Sequence, residues 1–277
     1  MGRRKQQQPG EAGSEASRWR RPARALTALA ASVLAVVAAV AIYSAAAGPP
    51  WGGDGSGASG PLTAAIVDQL SLTAPGPEFA ETATQTLEDA GYKVDYFPGE
   101  EVTVSFYRSL PLRGYDLLIL RAHSARLQQE WDGGTVDEVI LFTNEPYSDR
   151  KHRDEQEAGQ LSIARYYEDS TDRYFGIAPD FIRSSMKGEF EGTTIILMGC
   201  EGLGSEKTAD AFVQKGADSI ISWSGLVSAS HTDAATEELL AQLVEEKLNP
   251  PDAVARTMAE VGPDPSYGSE LLYVQSQ

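Results

Sequence analysis

One cysteine, Cys200, stands in 277 residues, so no intramolecular disulfide can form. Histidine is scarce too: His123, His152 and His231 are the whole set. No CxxC or HExxH spacing occurs, which leaves no zinc site, and a GxxxxGK motif followed by Ser or Thr is also missing, which removes a P-loop. No cofactor is implied. Positive charge is short as well, with 23 Lys and Arg against 40 Asp and Glu. The shortage is uneven: residues 1–25 carry seven basic side chains against Glu11 and Glu15, a net of +5, and the rest of the chain carries −22. An acidic body of that size repels phosphate backbones, so nucleic acid is excluded as a partner.

Charge vanishes altogether from Ala25 to Ala47, a run long enough to cross a bilayer as a helix. Its eight strongest members are Leu26, Leu29, Val33, Leu34, Val36, Val37, Val40 and Ile42, together roughly −2 to −5 kcal/mol for insertion. The basic tail, 1–24, precedes it. The positive-inside rule then puts the N-terminus in the cytoplasm and the body of the chain outside, as a single-pass cell-membrane protein. A cleaved secretory signal with small residues at Ser44–Ala47 is the competing reading, but the run exceeds a 7–15-residue signal core. Residues 48–61 are rich in Gly, Pro and Ser and read as a linker. The folded domain is expected at 62–277, without internal repeats.

Within it, strands and helices alternate. Strands are expected at Ala64–Leu70, Tyr92–Phe97, Asp116–Ala122, Thr193–Gly199 and Asp218–Ser224. Helices are expected at Glu78–Ala90, Val104–Leu112, Lys207–Lys215, Thr232–Leu248 and Asp252–Val261. The stretch 126–192 reads as irregular, with strands at Val139–Thr143 and Ser162–Tyr167. Such alternation predicts an α/β fold: a mostly parallel sheet with helices on both faces, a three-layer α/β/α sandwich.

Sheets of this kind bind ligands beyond the carboxyl ends of their strands. One apolar run ends at His123 and another at Cys200, so the two fall at such ends. A thiol near pKa 8.5 is only a few per cent thiolate at neutral pH, and a neighbouring imidazole removes that handicap. His123 is therefore the candidate general base and Cys200 the candidate nucleophile. The Glu-Gly-Leu-Gly sequence after Cys200 can turn backbone N–H groups toward an oxyanion. The plainer readings are a buried, inert cysteine and a core histidine bonded to a backbone carbonyl. His152, in a charged run, reads as solvated, and His231 as a capping or surface residue. Asp68, ending the first strand, is a weak candidate for a pocket that takes a basic side chain; Glu201 serves similarly or orients the loop.

Leu117–Ser124 (LLILRAHS) followed far downstream by Thr194–Gly202 (TIILMGCEG) resembles the caspase-fold cysteine peptidases, in which a histidine ends one core strand and a cysteine the next. The Cys200-Glu201 pair, the Gly216-Ala217 turn, Trp223 and Asp233-Ala234-Ala235-Thr236 are similar to the CHAT branch of that clan. The resemblance spans roughly Ala64 to Val261. It implies a caspase-like sheet and a Cys–His dyad that cleaves a peptide or protein substrate, with the backbone N–H groups of Ser124 and Cys200 as the oxyanion hole. The family usually carries glycine after the histidine. Serine keeps the N–H but adds a Cβ that disfavours positive φ. A catalytically inactive caspase-fold module that binds a peptide or protein is hence the alternative. A third reading, an amidotransferase-like site pairing Cys200 with His231, fails the Gly-x-Cys-x-Gly elbow because Met198 stands two residues before the cysteine.

Overall fold

A computed structural model of the protein describes residues 60–276 apart from Asp132, Gly133 and Glu168. The expected basic tail, membrane helix and nearly all of the linker lie outside the described residues. Among those described, no helix is long and apolar enough to cross a membrane.

Six strands form the main sheet: β1 (Thr63–Asp68), β2 (Lys93–Pro98), β3 (Leu117–Arg121), β8 (Thr194–Leu197), β9 (Ser219–Trp223) and β10 (Leu271–Gln275). Their spatial order is β10-β9-β8-β3-β1-β2. The first five in chain order pair in parallel, and β10 closes one edge antiparallel to β9. Every residue of β3, β8 and β9 is buried, because both faces of the sheet are covered.

The two faces are read from alternate residues. Ala64, Ile66, Leu117, Ile119, Ile196 and Ile221 pack with helices α1 (Pro77–Asp89), α6 (Ala229–Leu240) and α7 (Pro250–Val261). Ala65, Val67, Leu118, Leu120, Ile195 and Ile220 pack with α2 (Val104–Ser109), α4 (Pro179–Ser184) and α5 (Glu206–Gln214). The helix ends follow local chemistry. Pro77 and Pro250 stand in first turns where a missing N–H costs nothing, and the Asn249 side chain accepts from the Asp252 N–H. Gly91, at φ +92°, lets the chain turn from α1 into β2. The expected helix at 232–248 starts earlier, at Ala229, and after Leu240 passes into a π-turn over Ala241–Glu245.

The stretch read as irregular is a second, four-stranded sheet, antiparallel throughout, in the order β4-β5-β7-β6. Its members are β4 (Ser124–Trp131), β5 (Gly134–Pro146), β6 (Leu161–Ala164) and β7 (Tyr174–Ile177), with the short helix α3 (Arg153–Glu157) between β5 and β6. The expected strand at 139–143 is the fully buried part of β5, whose flanks are more exposed and polar. The strand expected at 162–167 stops at Ala164.

Candidate functional site

β3 and β8 are neighbours, in register from Leu117↔Thr194 to Leu120↔Leu197, and the Met198 N–H continues the ladder to the Leu120 carbonyl (2.9 Å). His123 and Cys200 thus leave the same end of two adjacent strands, three residues beyond the last registered pair. The loops that carry them touch. The Ser124 hydroxyl donates to the Cys200 carbonyl (2.5 Å). At Gly199, a Cβ would lie 2.2 Å from Ser124 Oγ and 2.5 Å from the Ala122 carbonyl, so only glycine allows this approach.

The imidazole is held from the β1 side. The His123 N–H donates to Gln69 Oε1 (2.8 Å), and Nε2 lies 3.1 Å from Thr73 Oγ1. Its ring packs on Tyr166 and Phe142, with centroids at 5.0 and 5.9 Å. Gln69 is pinned in turn: its amide donates to Asn144 Oδ1 (2.7 Å) and to the Tyr166 hydroxyl (2.8 Å). Burial, with the Arg121 charge second, pulls the imidazole down to about 4. His123 is therefore neutral at physiological pH.

Cys200 is half-buried, with Sγ 3.5 Å from the Val227 carbonyl. Burial pushes its thiol up, and the Glu201 and Asp264 carboxylates add to the rise. Thiol and imidazole are each bonded elsewhere, to Val227 and Thr73. Among the described residues no hydrogen bond joins the two.

Ser124 is a strand residue with ordinary negative φ, so its Cβ brings no strain. The Phe142 N–H donates to the His123 carbonyl (2.9 Å), and the alternation of an antiparallel ladder then turns the Ser124 N–H away from β5. The strained residue of the site is Glu201, at φ +55°. Its N–H donates to the Gly225 carbonyl (2.7 Å) and its carboxylate accepts from the Arg126 N–H (3.3 Å). Of its two expected roles, orienting the loop fits these bonds.

No protein-family model matches the chain, and no curated protein matches it. Function rests on the site itself.

Two placements differ from expectation. Asp68 is no pocket carboxylate: it is 1% exposed, with Oδ1 accepting from Arg121 (2.7 Å) and Oδ2 from the Tyr96 hydroxyl (2.9 Å). A cation from its own chain already occupies it. His152 is not solvated either. It stands at φ +49° with Nε2 3.0 Å from Glu145, edge-on to Phe175. His231 packs at a tilt against Trp223 and bonds the Gly262 carbonyl (3.2 Å), which gives no support to pairing with Cys200. Gln69, Thr73 and Tyr166 contact His123 directly, and the Arg121 charge acts on it, without any of the four having been singled out. Only Arg121 carried a signal, as a charge within an apolar strand.

Proposed function

We propose that this chain is a cysteine endopeptidase of the caspase-fold type, CHAT-like, with His123 as base and Cys200 as nucleophile. The observation that carries the reading is the exit of His123 and Cys200 from the same end of the adjacent strands β3 and β8. The two-faced α/β/α layering and mostly parallel sheet agree with it. The proposed setting is a single-pass membrane protein, anchored through residues 25–47, whose domain lies outside the cytoplasm.

The chemistry follows from a neutral pair. An Nε2–H donating to Thr73 leaves Nδ1 as the basic nitrogen, which has no hydrogen-bond partner among the described residues. The thiol turns from Val227 to Nδ1 and gives up its proton as Sγ attacks the scissile carbonyl carbon. The oxyanion is met by the N–H groups of Ser124 and Cys200. Collapse breaks the C–N bond, and His123 returns the proton to the leaving amine. Water, deprotonated by the same ring, then hydrolyses the thioester.

A second reading, a silent module that binds a peptide or protein, is favoured by one observation: the thiol is bonded to Val227 and pushed up in pKa. Incubating the full chain with a mixed peptide library and sequencing the products separates the two. Turnover that falls by at least about 10³-fold in both Cys200→Ala and His123→Ala supports the peptidase. Cleavage that survives Cys200→Ala sinks it, and saturable peptide binding without products from any form supports the silent module.

A further inference from the structure

Arg121 ends β3 with 1% of its side chain exposed, two residues before His123. A buried charge is costly, and an apolar side chain of similar volume often serves a core as well or better. Here every arm of the guanidinium is engaged. Nε and Nη2 grip both oxygens of Asp233 (2.7 and 2.9 Å), Nη1 donates to Asp68 (2.7 Å), and Nη2 also donates to the Ala74 carbonyl (2.9 Å). The ring of Phe79 covers it at 5.6 Å, and a Cβ on Gly76 would lie 2.6 Å from Nη2.

Each partner leads to the candidate site. Asp68 precedes Gln69, which accepts the His123 N–H. Ala74 follows Thr73, which holds His123 Nε2. Asp233 lies on α6, and the segment just before that helix supplies the Val227 carbonyl to Cys200 Sγ and the Gly225 carbonyl to the Glu201 N–H. We infer that Arg121 is a positioning residue: its fork ties together the three segments that hold the imidazole and the thiol. The inference builds on the peptidase reading and names the element that registers the two halves of the pair. Bidentate geometry is the essential property, which a lysine cannot reproduce.

Asp233 touches neither His123 nor Cys200, so it offers a clean test. The full chain is compared with Asp233→Asn and Arg121→Lys. Thermal melting, iodoacetamide alkylation of Cys200 across pH, and NMR titration of His123 are followed. The groups facing these reporters are few. Arg121 faces His123 beside the uncharged Gln69, Thr73 and Phe142 and the phenol of Tyr166, which burial pushes up to about 12; Glu201 and Asp264 face Cys200. Beyond Arg121 stand Asp68 and Asp233, with Tyr96 and Glu237 behind them. With the grip loosened, both variants still melt cooperatively. Alkylation at pH 7 rises about tenfold as Sγ loses its cover, and the His123 midpoint climbs by about one unit. Folded variants with both profiles unchanged overturn the inference. Loss of the fold in both does so too, since the cluster would then hold the domain rather than the pair. His123→Ala tests the underlying reading separately: if Cys200 alkylation ignores it, the dyad fails, while the His123 titration in Asp233→Asn and Arg121→Lys still reports on Arg121.

Discussion

His123 and Cys200 depart from ordinary behaviour in opposite directions, and both shifts favour uncharged forms. The pair therefore rests as thiol and imidazole rather than as an ion pair. Alkylation of Cys200 in the folded chain is expected to rise with a midpoint above the ~8.5 of a free cysteine, and to run slower at pH 7 than in the urea-unfolded chain. A midpoint below 8 would contradict this. The histidine also contributes to the loss of stability in acid. Its folded value, about 4, lies below the ordinary 6.5, so the unfolded chain binds the proton first. The contribution is whole above pH 6.5 and is lost as pH falls toward 4, on the order of 3 kcal/mol in all. In urea titrations, His123→Gln should flatten that part of the stability curve relative to the parent; parallel curves would show the shift to be absent. Gly199→Ala tests the close approach of the two loops. It should cost about 1–3 kcal/mol by pushing the Ala122–Ser124 segment away from residue 199, read as a lower melting temperature.

At the scale of elements, the segment before α6 is held by a loop just before β10. The Asp264 carboxylate accepts from the N–H and hydroxyl of Ser228 (2.9 and 2.7 Å) and from the N–H groups of Ser266 and Tyr267. Burial alone would raise its pKa, but these donors outweigh it and hold the carboxyl at about 2. Asp264→Ala is expected to destabilise the fold by about 1–3 kcal/mol and to speed hydrogen exchange in residues 225–228. Exchange unchanged there would show that other contacts secure the segment. Sequence and structure part company along these same elements. The strands β1, β3, β8 and β9 were legible because burial on both faces makes them continuous apolar runs. β10 was not, being an edge strand whose residues beyond Leu271 are partly exposed. β4 was hidden by its polar composition (SARLQQEW), and β7 by its brevity and central glycine. The candidate pair could be read because each residue ends an apolar run. Thr73 and Gln69 could not, since they act from a short 3₁₀ turn and its end, where no periodicity marks a side chain's direction.

For the whole molecule, the proposed anchor and the acidic body make separate demands. The full chain should pellet with membranes after expression in cells and resist a high-salt wash. Deleting residues 25–47 should release it, and retention after that deletion would point to another attachment. Neither outcome bears on the pair, whose placement depends on one ladder. Because β3 and β8 bond directly, the second sheet and its neighbours form a detour from one strand to the next. A nick within that detour would leave two fragments, one ending beyond the imidazole and the other bringing the sulfur, still clasped side by side.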